Sequence, residues 1–214
     1  MGLREYLSEY GTPYRLPEIA GTYGEFKGVV VCGDGHCIWD DLERFGCRSD
    51  RKRGGVAKEG WHFLTVNKMV EVFPGDVEHS YSNSASCLQR FLAARRDEYA
   101  IEFQKPKHSH SLNAPCDWIW PLGGHGTSGL GATLIAVALG YPKVVICGMP
   151  LDDGPHNGQP HWRKTSFAST EAAGGQRTDR NTHWWKAKTL AFDGRVRSMS
   201  GRTKDWLGDG SAWA

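Results

Sequence analysis

Two glycine-bearing stretches carry residue types that could do chemistry. Gly33-Asp34-Gly35 directly follows the apolar run Gly28-Val-Val-Val-Cys32. Glycines at such a point let backbone N–H groups come close to a phosphate. Gly123-Gly-His-Gly-Thr-Ser-Gly129 directly precedes a long apolar segment. If that segment is a helix, its first N–H groups and its dipole favour an anion, and Thr127 and Ser128 add hydroxyl donors. Each stretch also has a plainer reading. The first suits a tight strand-to-helix turn, and in the second Thr127 or Ser128 can simply cap a helix. Glycine on both sides of the Thr-Ser pair is more than a cap needs. The candidate phosphate-binding residues are therefore Gly126, Thr127, Ser128 and Gly129, with Gly33, Asp34 and Gly35. Ile38 stands where a dinucleotide fingerprint needs its third glycine, and no GK[ST] follows the second stretch, so neither is a complete known motif.

Histidine is the side chain that most readily exchanges protons near neutral pH. His156, His161 and His183 fall in or just beyond one long polar segment, close to Asp152 and Asp153. Their spacing matches no metal-ligand pattern, so no metal is expected. For each of them a solvated loop position is the bland alternative. His108 and His110 flank a serine and receive no role, and Trp184 and Trp185 suit a helix packed on the core. The six cysteines form no CxxC pair, and Cys32 and Cys147 lie in apolar runs, as buried reduced thiols do.

These residues need elements to position them. The run 28–33 is β-branched and ends in glycine, as a buried parallel strand does. Ile38, Leu42 and Phe45 then share one helical face. The basic stretch Arg48 to Lys58, with its Gly-Gly pair, is expected to be a loop. Strands are expected at Phe63–Val66, which ends at Asn67, at 76–81 and at 99–103, with a helix over 85–96 between the last two. Residues 128–139 are apolar nearly all round and are followed by Gly140, which predicts a buried helix with a glycine stop. Lys143-Val-Val-Ile-Cys-Gly148 is a second glycine-ended strand, completing a βαβ unit. Met149 to Asn181 is polar, glycine-bearing and too long for a plain connector, as a lid is. A helix over 182–191 and a last strand within 195–200 complete the pattern.

Two of these segments resemble a known group of proteins. Val29-Val-Val-Cys-Gly-Asp-Gly-His-Cys37 is similar to the first motif of bacterial sialyltransferases, a hydrophobic strand followed by GNGPS. Gly126-Thr-Ser-Gly-Leu-Gly-Ala-Thr-Leu-Ile-Ala-Val-Ala-Leu-Gly-Tyr-Pro-Lys-Val-Val-Ile-Cys-Gly148 resembles their second. The same motif pair occurs in hydroxymethylpterin pyrophosphokinase-like proteins, motility-associated glycosyltransferases and phage proteins. The resemblance implies that the first glycine turn and Asn67 contact a nucleotide. It further implies that Thr127 and Ser128 hold the donor phosphate, and that His161 or His183 is catalytic. Asp34 replaces the family asparagine, and Pro150 stands where many relatives have aspartate.

The expectation is thus an α/β, Rossmann-like domain over residues 1–214, with a mainly parallel sheet and helices on both faces. Its core spans about 28–148, its lid loop about 149–181, and a C-terminal helix and strand lie within 182–214. The implied activity is glycosyltransferase-like, taking a group from a nucleotide-activated donor without a further cofactor. A pyrophosphokinase-like enzyme and a non-catalytic nucleotide-binding phage protein are the alternatives. The partner is a nucleotide or nucleotide sugar. The net charge of +2 does not indicate nucleic acid. No run reaches the roughly 18 apolar residues of a membrane span, and the charged start is unlike a signal peptide, which suggests the cytoplasm.

Overall fold

The architecture follows from a few strongly apolar strands that must be covered on both faces. The computed structural model describes residues 16–50, 54–73, 75–110, 116–122, 127–152 and 182–214. The strands of the main sheet are β1 (Gly28–Cys32), β4 (Trp61–Val66), β5 (His79–Tyr81), β6 (Lys107–Ser109), β7 (Trp118–Ile119), β8 (Val144–Cys147) and β9 (Val196–Ser198). All seven are parallel, in the order β7-β6-β5-β4-β1-β8-β9. Between them lie α1 (Ile38–Arg44), α2 (Met69–Val72), α3 (Ala85–Tyr99) and α4 (Ser128–Ala138). Residues 182–190 form α5, and α6 is Gly201–Leu207.

Strand β1 shows why the sheet is buried on both faces. All five of its residues are inaccessible to solvent. Side chains alternate across a strand, so Val29 and Val31 join the core under α4, while Val30 and Cys32 join Ile38 and Leu42 of α1 on the other face. Trp184 and Ala187 of α5 add to the α4 side, and Met69 of α2 to the α1 side. Helix α4 has eight consecutive buried residues, so it has no solvent face to mark with polar residues. Thr127 caps its start, and Gly140, at φ +97°, ends it in a conformation that costs glycine nothing.

Two expectations need correction. No strand occupies 99–103. Tyr99 is the last residue of α3, Ala100 ends that helix at φ 55°, and residues 101–104 have no regular structure. The strand comes later, at β6, because the helix runs on past Arg96 until a left-handed residue stops it. The stretch 48–58 is likewise not only loop. It contains a small antiparallel hairpin, β2 (Arg48–Asp50) with β3 (Gly54–Val56), whose pairing is local and needs no apolar core signal.

Candidate functional site

Strand order decides where a ligand would sit. From β1 the chain steps outward through β4, β5, β6 and β7, then returns to β8 on the other side of β1. In open α/β sheets the crevice outside the carboxyl ends of the strands, at such a reversal, is the usual binding place. Here that crevice lies between Gly33-Asp34-Gly35 after β1 and Gly148-Met149-Pro150 after β8.

The two turns are tied together by backbone. Gly33 N donates to Cys147 O at 2.9 Å and Gly35 N to Gly148 O at 2.8 Å. This close approach explains the glycines. A Cβ at Gly33 would collide with Met149 Cγ, and one at Gly35 would stand 2.6 Å from Gly148 O and 2.9 Å from Pro150 Cδ. The first glycine turn therefore fits its own chain, whatever else it touches. Asp41 of α1 holds the far side. It is fully buried, and its Oδ2 accepts from Gly148 N at 2.9 Å and from Ser200 Oγ at 2.7 Å. Thr203 Oγ1 donates to Met149 O at 2.8 Å and Arg202 N to Pro150 O at 2.9 Å. The segment leaving β8 is thus pinned by α6 before residue 153, where the described part of the expected lid ends.

Thr127, Ser128 and Gly129 of the second glycine stretch open α4 as predicted. Thr127 is the cap, its Oγ1 accepting from Leu130 N at 3.2 Å and its carbonyl from Gly131 N at 3.1 Å. Among the described residues the backbone N–H groups of Ser128 and Gly129 have no acceptor. Those are the two first-turn donors a bound anion would use. Gly126 lies outside the described residues.

Asn67 follows β4 at φ 52° and its N–H donates to Tyr81 O at 2.8 Å. Its Oδ1 accepts from Ser82 Oγ at 2.9 Å, which leaves its amide nitrogen without an acceptor among the described residues. The structure adds residues that sequence reading missed. Asn83 and His110 follow β5 and β6 at the same edge, and Tyr81 OH donates to Asn83 Oδ1 and lies 3.3 Å from His110 Nδ1. A Cβ at Gly131 would collide with Tyr81 OH, so this group sits directly against α4. Burial lowers the pKa of His110 and raises that of Tyr81, so both are neutral at pH 7 and His110 is competent to accept a proton. The signal for both residues was their place just after a strand; the expected strand at 76–81 already ended where β5 ends, before Asn83, whereas the strand before His110 was expected at 99–103.

Among the expected catalytic residues, His183 is half-buried near the start of α5, and His161 and His156 lie outside the described residues. Other histidines form a structural chain instead. Trp120 Nε1 donates to His108 Nδ1 at 2.9 Å. A neutral His108 must then carry its proton on Nε2, which donates to His79 Nδ1 at 3.0 Å. His79 Nε2 in turn donates to Tyr141 OH at 2.9 Å, and Tyr141 OH to His62 Nδ1 at 2.7 Å. One indole, which can only donate, thereby sets three tautomers and one hydroxyl direction across β4, β5 and β6. Burial, the largest cause, pushes His79 well below its ordinary pKa and His108 down to about 3, and it lowers His62 as well. His79 and His108 are fully buried, so this chain serves the core.

No group of three or more metal-ligating side chains occurs among the described residues. Nor is any described helix long and apolar enough to cross a membrane. All six cysteines are free, and burial raises the thiol pKa of Cys32, Cys37, Cys47, Cys116 and Cys147. A groove of about 430 Å³ lined by Lys27, Lys58, Glu59, Trp61, Lys143 and Trp213 lies at the opposite, amino-terminal edge of the sheet. No family model, no curated protein and no solved structure matches this chain.

Proposed function

We propose that this chain binds a phosphorylated nucleotide at the carboxyl edge of its sheet and transfers a group from a nucleotide-activated donor, as a glycosyltransferase-like enzyme does. The observation that carries the reading is the convergence at one edge of two unpaired N–H groups at the start of α4, the amides of Asn67 and Asn83, and the strand-order reversal between β1 and β8. The resemblance of residues 29–37 and 126–148 to sialyltransferase motifs supports it. Phosphate is assigned to Ser128 and Gly129 and not to the first turn, because Asp34 there would repel an anion. Asn67 and Asn83 offer amide groups suited to sugar hydroxyls or a base edge. His110, beside Tyr81, is a general-base candidate along with His161 and His183.

A thermal-shift and calorimetric screen of nucleotides and nucleotide sugars tests this, since a ligand that binds only the folded state raises apparent stability. At least one is expected to raise Tm, and Ser128→Ala should weaken its binding about tenfold through one lost hydrogen bond to a charged group. If no nucleotide or nucleotide sugar binds, the reading falls.

A further inference from the structure

Trp184 is almost completely buried, at 1 % exposure, yet its indole N–H has no hydrogen-bond partner. Buried indole N–H groups normally find one. The indole comes up to the start of α4 through the ring carbon two bonds from this nitrogen. Cζ2, attached to the ring carbon that bears Nε1, lies 3.7 Å from where a Cβ at Gly129 would stand. Met149 Sδ takes up that same position, and Met149 Cγ takes up the corresponding position at Gly33. One flexible thioether therefore fills the space between the two glycine turns, at the point where strand order reverses.

We infer that the Met149 side chain is a displaceable plug over an anion subsite, made of Trp184 Nε1–H and the N–H groups of Ser128 and Gly129, that takes a phosphoryl oxygen of the ligand. This rests on the nucleotide reading above. The three groups are all donors, and none has an acceptor among the described residues, which is a pattern complementary to a phosphoryl group and to no cation. The plug can move without unfolding its surroundings. The Met149 backbone is fixed through its carbonyl by Thr203, whereas its side chain has three rotatable bonds and only a weakly accepting sulfur. Glycine at 33 and 129 leaves room for the thioether in the closed state and for an oxygen once it has swung out. Asp41, the buried carboxylate among the described residues, accepts through Oδ2 from Gly148 N–H and Ser200 Oγ.

The test uses the full chain with uridine 5′-diphosphate, cytidine 5′-monophosphate and inorganic pyrophosphate as probes. Binding is followed by calorimetry and by the indole N–H resonances of 15N-labelled protein. Trp184→Phe identifies the Trp184 signal and removes the donor while keeping a ring. Met149→Ala removes the plug. The expected result is a downfield shift of the Trp184 indole signal on binding, with about tenfold weaker affinity in Trp184→Phe and several-fold tighter affinity in Met149→Ala. If the wild-type chain binds a probe while the Trp184 signal stays put and both variants bind as wild type does, the subsite is refuted and nucleotide binding stands. If neither wild type nor Met149→Ala binds any probe, the subsite is refuted, and nucleotide binding stands or falls with the wider screen of nucleotides and nucleotide sugars. The signal on wild-type protein decides the matter even if a variant fails to fold.

Discussion

Replacing Tyr141 with phenylalanine removes one oxygen from the middle of the buried chain and leaves the ring in place. That oxygen accepts from His79 Nε2 and donates to His62 Nδ1. His79 is fully buried, so its N–H would lose its only acceptor with no water to replace it, a cost of about 1–3 kcal/mol. His62 is half-buried, and water can serve its Nδ1, so its loss adds about 1 kcal/mol at most. The usual escape, exchange of tautomer at His79, is blocked. It would put a proton on Nδ1 facing His108 Nε2–H, and His108 cannot reverse because Trp120 donates to its other nitrogen. The expected loss is therefore about 1–4 kcal/mol, a sizeable part of the roughly 5–15 kcal/mol that holds a domain together. Urea unfolding at pH 7.5, followed by far-UV circular dichroism, should show a lower midpoint at unchanged slope. A loss below about 0.5 kcal/mol would mean that the chain is not directionally locked as described, and the tautomer argument would fail.

The same histidines predict how stability depends on pH. His79 and His108 have folded pKa values far below the ordinary 6.5, the latter about 3. The unfolded chain therefore binds more protons, and stability is full above about pH 6.5 and falls as pH drops toward 3. Lys105 and Lys107 reinforce the shifts and Asp117 opposes that of His108. Two such groups give about 4 kcal/mol lost between pH 7.5 and 5.0, measurable as a fall in urea midpoint, and a flat profile over that window would contradict neutral burial. The lowered carboxyls of Asp117 and Asp209 act lower, losing their contribution only as pH falls below the ordinary carboxylate range. Asp41→Ala should cost about 1–3 kcal/mol by leaving the buried Gly148 N–H without an acceptor. Asp41→Asn, which keeps an acceptor oxygen, should recover part of that loss in the same denaturation assay.

Much of the fold was legible because its strongest signals are local. The runs 28–33 and 143–148 are short, β-branched and glycine-ended, and burial on both faces leaves no polar position to interrupt them. Helix α4 announced itself through an apolar run between a Thr cap and Gly140, both of which act within one turn of backbone. The end of α3 and the strand at 107–109 were missed, since Ala100 is no conventional helix stop and three residues carry too little periodicity to mark a strand. Histidine roles were beyond reach for a different reason. His62, His79 and His108 are far apart in sequence, and only strand register brings them into one chain with Tyr141 and Trp120. Composition marks a histidine as titratable, whereas burial and partners decide whether it ever titrates. The glycines show the same division. Their presence at 33, 35 and 129 could be read from sequence as room for a ligand. Only the tertiary structure reveals that Gly148, Met149 and Pro150 press against that room, and that the buried indole N–H of Trp184 has no partner. Local chain chemistry determined the elements; the packing of β8 against β1, across more than a hundred residues of sequence, decided what those elements face.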